Sequence, residues 1–176
     1  MNRAVVNVLL IEDDKEQAKE YVAMLALSPI FEYSVVFAGT YEEASRVIGE
    51  RKFDMILLDL VLPNGIGIAL VRLLVKLMAQ VSMAAPVVVI TGLLSERIML
   101  DILREGVVSE VVFKDEIKTS QDLLWIVQRA QVRYDATCIT KKLRDCAKKQ
   151  NECLVELTTV TSEVERATGD SWKQGN

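Results

Sequence analysis

Met55-Ile-Leu-Leu-Asp59-Leu-Val-Leu-Pro63-Asn-Gly65 runs four apolar residues into a carboxylate, then three more into a Pro-Asn-Gly turn signal. An apolar run without polar alternation fits a strand covered on both faces, as in a parallel sheet. Asp59 would end that strand, at the edge where open α/β sheets bind ligands.

Outward from this stretch the same pattern repeats. Upstream, Ala4–Ile11 is a β-branched-rich run ending in Glu12-Asp13-Asp14. Lys15 to Leu27 has apolar residues at Ala18, Tyr21, Val22 and Leu25, a helical spacing stopped by Ser28-Pro29. Tyr33–Ala38 reads as a second strand, and Thr40-Tyr-Glu-Glu43 has capping-box spacing for a short helix to Glu50. The quoted strand extends over Phe53–Asp59. Downstream, Gly65 to Gln80 reads as a helix and Pro86–Thr91 as a fourth buried strand. Ser95 to Glu105 is a helix with a stripe of Ile98, Met99, Ile102 and Leu103, ended by Gly106. Glu110–Phe113 is a fifth strand running into Lys114-Asp115, and Ser120 is placed to cap a last helix through Leu123, Leu124 and Val127.

Five strands alternating with five helices imply right-handed βαβ units. The expected fold is α/β: a flavodoxin-like, doubly wound, five-stranded parallel sheet in the order 2-1-3-4-5, with a long C-terminal helix. That order sets Glu12-Asp13-Asp14 beside Asp59 and brings Thr91 and Lys114 to the same edge. Carboxylates gathered in a partly desolvated site repel one another, and a hard cation relieves this. Oxygen donors without His or Cys select Mg²⁺ or a similar ion. A carboxylate can also act as a nucleophile towards phosphoryl groups, and Thr91 and Lys114 can contact the incoming oxygens.

Composition narrows the chemistry. The chain has no histidine, which removes Ser-His-Asp and Cys-His catalysis and makes a zinc site improbable. Its three cysteines, Cys138, Cys146 and Cys153, form no disulfide framework and read as small apolar fillers. Net charge is −4, and residues 1–130 carry 13 basic against 18 acidic side chains, which argues against sequence-independent nucleic-acid binding there. The apolar stretch Ile66–Ala79 is broken by Arg72 and Lys76 and is too short to span a bilayer. No signal-peptide pattern opens the chain, so a cytoplasmic protein without membrane or nucleic-acid partners is expected.

Glu12-Asp13, Asp59, Thr91 and Lys114, each at the end of its strand, resemble the receiver domain of two-component response regulators. Leu58-Asp-Leu-Val-Leu-Pro-Asn-Gly65 and Ile90-Thr-Gly92 are especially typical, and the likeness covers residues 4 to about 130. The resemblance implies that Asp59 accepts a phosphoryl group from a histidine kinase or phosphotransfer protein. It implies that Asp13, Asp59 and the backbone carbonyl of Val61 hold Mg²⁺, with Glu12 assisting, and that Thr91 and Lys114 contact the phosphoryl group. It implies no enzyme beyond the chain's own phosphorylation and dephosphorylation. Two positions depart from the pattern. Val111 stands where Tyr or Phe is usual, and Asp115 follows the lysine where proline is common. Val111 motivates an alternative: a receiver-fold interaction module that signals without phosphoryl transfer. An aspartate-nucleophile phosphatase is disfavoured because Val61 stands where its second aspartate belongs, and no helix-turn-helix pattern follows residue 130.

Past Ala130 no glycine or proline occurs until Gly169. Val132, Ala136, Ile139, Leu143, Cys146, Gln150, Cys153, Leu157, Val160, Val164 and Ala167 alternate at spacings of four and three, and only Gln150 is polar. This is a coiled-coil stripe, with Leu143, Gln150, Leu157 and Val164 at a and Ile139, Cys146 and Val160 at d. The basic residues Lys141, Lys142, Arg144, Lys148 and Lys149 read as a solvated face. The stretch Lys114–Tyr134 loosely resembles helical linkers that follow receivers in larger sensor proteins. The expected organisation is a receiver over 1–130, a helical coiled-coil extension over 131–168 continuing the fifth helix, and a disordered tail over 169–176. A parallel homodimer through residues 132–167 is expected.

Overall fold

The computed structural model describes residues 3–62, 65–66, 68–92, 96–104 and 107–173, with side chains at all of these except 65–66, 96–98, 103 and 164–173. The chain divides into two units, Met1–Tyr134 and Asp135–Asn176.

The first unit is built from β1 (Ala4–Ile11), α1 (Lys15–Ala26), β2 (Phe31–Ala38), α2 (Tyr41–Glu50), β3 (Met55–Asp59), α3 (Ile68–Gln80), β4 (Val87–Thr91), α4 (Glu96–Arg104), β5 (Val108–Phe113) and the start of α5 (Ser120–Lys173). The five strands form one parallel sheet in the order β2-β1-β3-β4-β5. All residues of β3 and β4 are buried, as unalternating apolar runs require. Successive side chains point to opposite faces. Leu9, Ile11, Ile56, Leu58, Val87 and Val89 therefore pack with α2, α3 and Ile102 of α4. Val8, Leu10, Met55, Leu57, Val88 and Ile90 pack on the other face with α1 and the root of α5.

Several boundaries differ from the sequence reading. Gly65–Ile66 pairs with Val61–Leu62 in a separate two-residue antiparallel ladder, so α3 starts at Ile68 rather than Gly65. Counted along the chain, these two short strands fall between β3 and β4. A bulge opens between Val87 and Val88, and β5 starts at Val108, two residues early. The bulge shifts the alternation, so Val108 joins the core under α2–α4 while Val112 joins the core under α1 and α5. Glu43 does reach back from α2, but to the amide of Gly39 rather than to that of its cap, Thr40.

Ser120 does not cap α5. Thr119 does: its hydroxyl accepts from the Asp122 amide, and the Asp122 carboxylate accepts from the amides of Thr119 and Lys118. Hydroxyl and carboxylate three residues apart satisfy each other's orphan groups, and that pair decides the start.

α5 is one continuous helix to Lys173, five residues past the 168 boundary drawn from sequence. A single glycine costs a helix only about 1 kcal/mol and need not end it. The Pro63-Asn64 turn, Ser95 at the expected start of α4, Glu105 and Gly106 at its expected end, and residues 174–176 lie outside the described residues, as do the side chains of Ile98, Leu103, Val164 and Ala167. No described helix is long and apolar enough to cross a membrane.

Candidate functional site

The acidic trio after β1 splits by geometry. Glu12 continues the ladder, donating its amide to the Ala38 carbonyl at 3.1 Å, and its side chain is buried. Asp14 caps α1, its Oδ1 accepting from the amides of Glu16 and Gln17. Asp13 lies between them, exposed. The ordinary reading of an acidic helix start therefore holds for Asp14 alone.

Asp59, the last residue of β3, is 4 % exposed and aligned with Ile90 of β4. Its Oδ1 accepts from the Val61 amide at 3.0 Å, a local turn bond that fixes the carboxylate. Glu12, Asp13 and Asp59 each present an oxygen within 4.8 Å of the others. A cation such as Mg²⁺ would need these oxygens drawn closer together. The donors are all hard oxygens, and they fit that class of cation.

Lys114 follows β5 directly. Its Nζ donates to Glu12 Oε2 at 2.8 Å and to Asp59 Oδ2 at 2.9 Å. A single 3₁₀ turn over Lys114–Glu116 aims it: the Ile117 amide donates to the Lys114 carbonyl, and the Phe113 amide donates to the Glu116 carboxylate. Thr91, fully buried at the end of β4, is in register with Phe113 on one side, and its neighbour Ile90 is in register with Asp59 on the other. The strand order thus brings Glu12 and Lys114, 102 positions apart, to one edge.

Electrostatics follow from this crowding. Burial raises the Glu12 carboxyl above its ordinary range and the Asp59 charge adds to this, while the hydrogen bond from Lys114 opposes it. Burial alone would lower the Lys114 ammonium, but its bonds to Glu12 and Asp59 and their charges outweigh that and hold it well above the usual lysine range. At neutral pH one fixed cation therefore faces two buried acids and one exposed acid.

Two features escaped the sequence reading. Glu110, taken as the start of a strand, is a buried carboxylate held by two arginines of α5: Arg129 Nη2 donates to Oε1 at 2.7 Å, and Arg133 Nη1 donates to Oε2. The available signal was an acid inside an apolar strand and two arginines four apart. Tyr21, counted as a stripe residue, is 1 % exposed, and its hydroxyl has no hydrogen-bond partner among the described residues. Burial pushes its phenol up to about 12, while the Lys114 charge opposes the rise. Val111, at the departure from the expected pattern, is in register with Val89 and packs against the core under α2–α4.

A family model described as the response regulator receiver domain matches residues 8–127. The transcriptional regulatory protein MalR of Bacillus subtilis (strain 168) is 30 % identical over 133 residues, covering 74 % of this chain and 53 % of MalR. The chain thus spans about half the length of that curated relative. A response regulator from Burkholderia pseudomallei, with a phosphorylated aspartic acid, calcium ion and citrate, superposes with TM-score 0.59 at 24 % identity, over 74 % of this chain and 71 % of that one. A fusion carrying amino acids 181–211 of the yeast Spc42 trimeric coiled coil superposes with TM-score 0.63 at 26 % identity, over 90 % of this chain and 99 % of that one.

Proposed function

The chain belongs to the response regulator receiver family, and from that premise we propose that Asp59 is the phosphoacceptor of a two-component phosphorelay. Receivers are signalling modules, and the partner expected here is a histidine kinase or phosphotransfer protein. The observation that carries the proposal is the bridging ammonium of Lys114, 2.9 Å from Asp59 and 2.8 Å from Glu12. It supplies fixed positive charge where a phosphoryl oxygen would arrive. One Asp59 oxygen forms the bond to phosphorus as the donor's phosphorus–nitrogen bond breaks, and the imidazole leaves with the electron pair. Thr91, at the neighbouring strand end, is the proposed hydroxyl contact. Glu12, Asp13, Asp59 and the Val61 carbonyl would hold Mg²⁺, which when bound neutralises charge between the acids and the phosphoryl oxygens.

Incubation with acetyl phosphate and Mg²⁺ is expected to add one phosphoryl group to the protein and none to the Asp59→Asn variant. Intact-mass spectrometry reads the outcome, and an unreactive wild type that also fails to bind Mg²⁺ would remove the proposal.

Val111 favours a second reading, an interaction module that signals without phosphoryl transfer. No aromatic ring stands at that position of β5 to change rotamer. This reading expects the same mass and interface with and without a phosphoryl mimic.

The output element in either case is the helical extension. Ile139, Leu143, Leu157 and Val160 of the stripe are each more than half exposed in the single chain. We propose that it pairs with a second copy through residues 132–167. The charges beside the stripe favour an antiparallel direction over the parallel one expected from the sequence.

A further inference from the structure

Lys142, Lys149, Glu156 and Glu163 recur every seven residues along α5. With Leu143 and Leu157 at a, and Cys146, Cys153 and Val160 at d, all four occupy g, the position flanking the apolar seam. All four are exposed, and among the described residues none is in an ion pair within the chain. The seam beside them is open, with Leu143 at 66 % and Leu157 at 60 % exposure.

Direction changes what these charges meet. In a parallel pair, g faces position e of the partner's next heptad. Those e positions are Ala147, Leu154, Thr161 and Thr168, and none is charged. In an antiparallel pair, g faces g. The order plus, plus, minus, minus is then its own complement: Lys142 meets the partner's Glu163 and Lys149 meets the partner's Glu156, each twice by symmetry. The same alignment layers Leu143 with the partner's Val160, Cys146 with the partner's Leu157 and Gln150 with the partner's Cys153. A slip of one heptad either way brings Lys149 against the partner's Lys149 or Glu156 against the partner's Glu156. It also moves Gln150 opposite the partner's Cys146 or Val160. Charge and the lone polar core residue select one register.

We propose that a second copy of this chain binds along residues 140–163 of α5 in antiparallel direction, with the twofold axis between residues 151 and 152. This rests on the self-association proposed above and specifies its geometry. Parallel pairing leaves four charges per chain unmatched beside the seam. Antiparallel pairing matches all of them, and like charges brought together by a slip are destabilising.

The test uses the full chain. One variant keeps Cys146 alone, through Cys138→Ser and Cys153→Ser; a second adds Leu157→Cys. Both are treated with oxidised glutathione, which takes the two electrons and two protons of each disulfide formed and is released as two reduced glutathiones. In the proposed dimer the two Cys146 residues are eleven residues out of step, about 16 Å along the axis at 1.5 Å per residue. A disulfide needs Cα atoms within about 7 Å. The first variant is therefore expected to stay non-covalent and the second to give a covalent dimer whose cross-linked peptides join 146 to 157. A covalent dimer of the first variant overturns the antiparallel direction and leaves self-association standing. A monomeric mass by light scattering before oxidation overturns both, and a trimeric mass overturns the twofold pairing.

A second arm avoids any core change. Lys142→Glu with Lys149→Glu is expected to raise the dimer dissociation constant at least about tenfold at low salt. Adding Glu156→Lys and Glu163→Lys to the same chain is expected to restore it. An unchanged dissociation constant in the first of these, or no recovery in the second, overturns the proposal.

Discussion

Lys114 holds two buried carboxylates with one ammonium, so its replacement separates charge balance from fold. Lys114→Gln leaves Glu12 and Asp59 buried with no cation between them. The expected loss in the metal-free protein is about 3 kcal/mol. Urea unfolding at pH 7 reads it, and added Mg²⁺ is expected to recover part of the loss if these acids hold the ion. Tyr21 makes a separate prediction. Its phenol sits at about 12 against an ordinary 10.0 because it is buried. The folded chain holds that proton more tightly than the unfolded chain does. Its contribution is therefore fully present below pH 10 and is lost as the pH rises through about 12, a change of about 3 kcal/mol. Tyr21→Phe is expected to flatten this alkaline loss. At pH 7 it is expected to keep or slightly raise stability, because the buried hydroxyl has no partner among the described residues. Urea midpoints at pH 8 and pH 11 check both parts.

Among the elements, β5 and the root of α5 are joined by charge as well as by packing. Glu110 is buried while Arg129 and Arg133 are about half exposed, so the two sides of this bridge are not equivalent. Glu110→Gln leaves arginines that water can still solvate, with an expected cost of about 2 kcal/mol. Arg129→Met combined with Arg133→Met strands a buried carboxylate and is expected to cost more, about 3–5 kcal/mol. Chemical denaturation of the two variants tests the order, and equal losses would contradict it. The bridge ties Glu110, the neighbour of Val111, to the third and fourth turns of α5. Beside Val111, which carries no aromatic ring, it is a charged contact between β5 and α5.

At the scale of the molecule, residues 1–134 and 135–176 are two separate units. A chain ending at Tyr134 keeps both cores and every residue of the acidic site. It is expected to be monomeric by light scattering and to react with acetyl phosphate as the full chain does. A dimeric truncation would move the self-association into the receiver. What the sequence determined by itself was whatever periodicity and strand ends encode. Unalternating apolar runs marked β3 and β4 as covered on both faces, and the residue after each run, Asp59 or Thr91, was legible as lying at one sheet edge, because a parallel sheet collects its strand ends there. The heptads of α5 were legible for the same reason, since spacing alone defines a helical stripe. Only the tertiary structure decided which acid does what. Asp14 became a cap, Glu12 a buried partner of Lys114, and Asp13 the exposed member. It also decided that Glu110 is clamped, that Tyr21 is buried without a hydrogen-bond partner, and that Thr119 rather than Ser120 starts α5. The two caps are local choices between neighbouring candidates, but the roles of Glu12, Glu110 and Tyr21 depend on burial and on partners set by chain crossing, and a local pattern carries no record of what lies across the sheet.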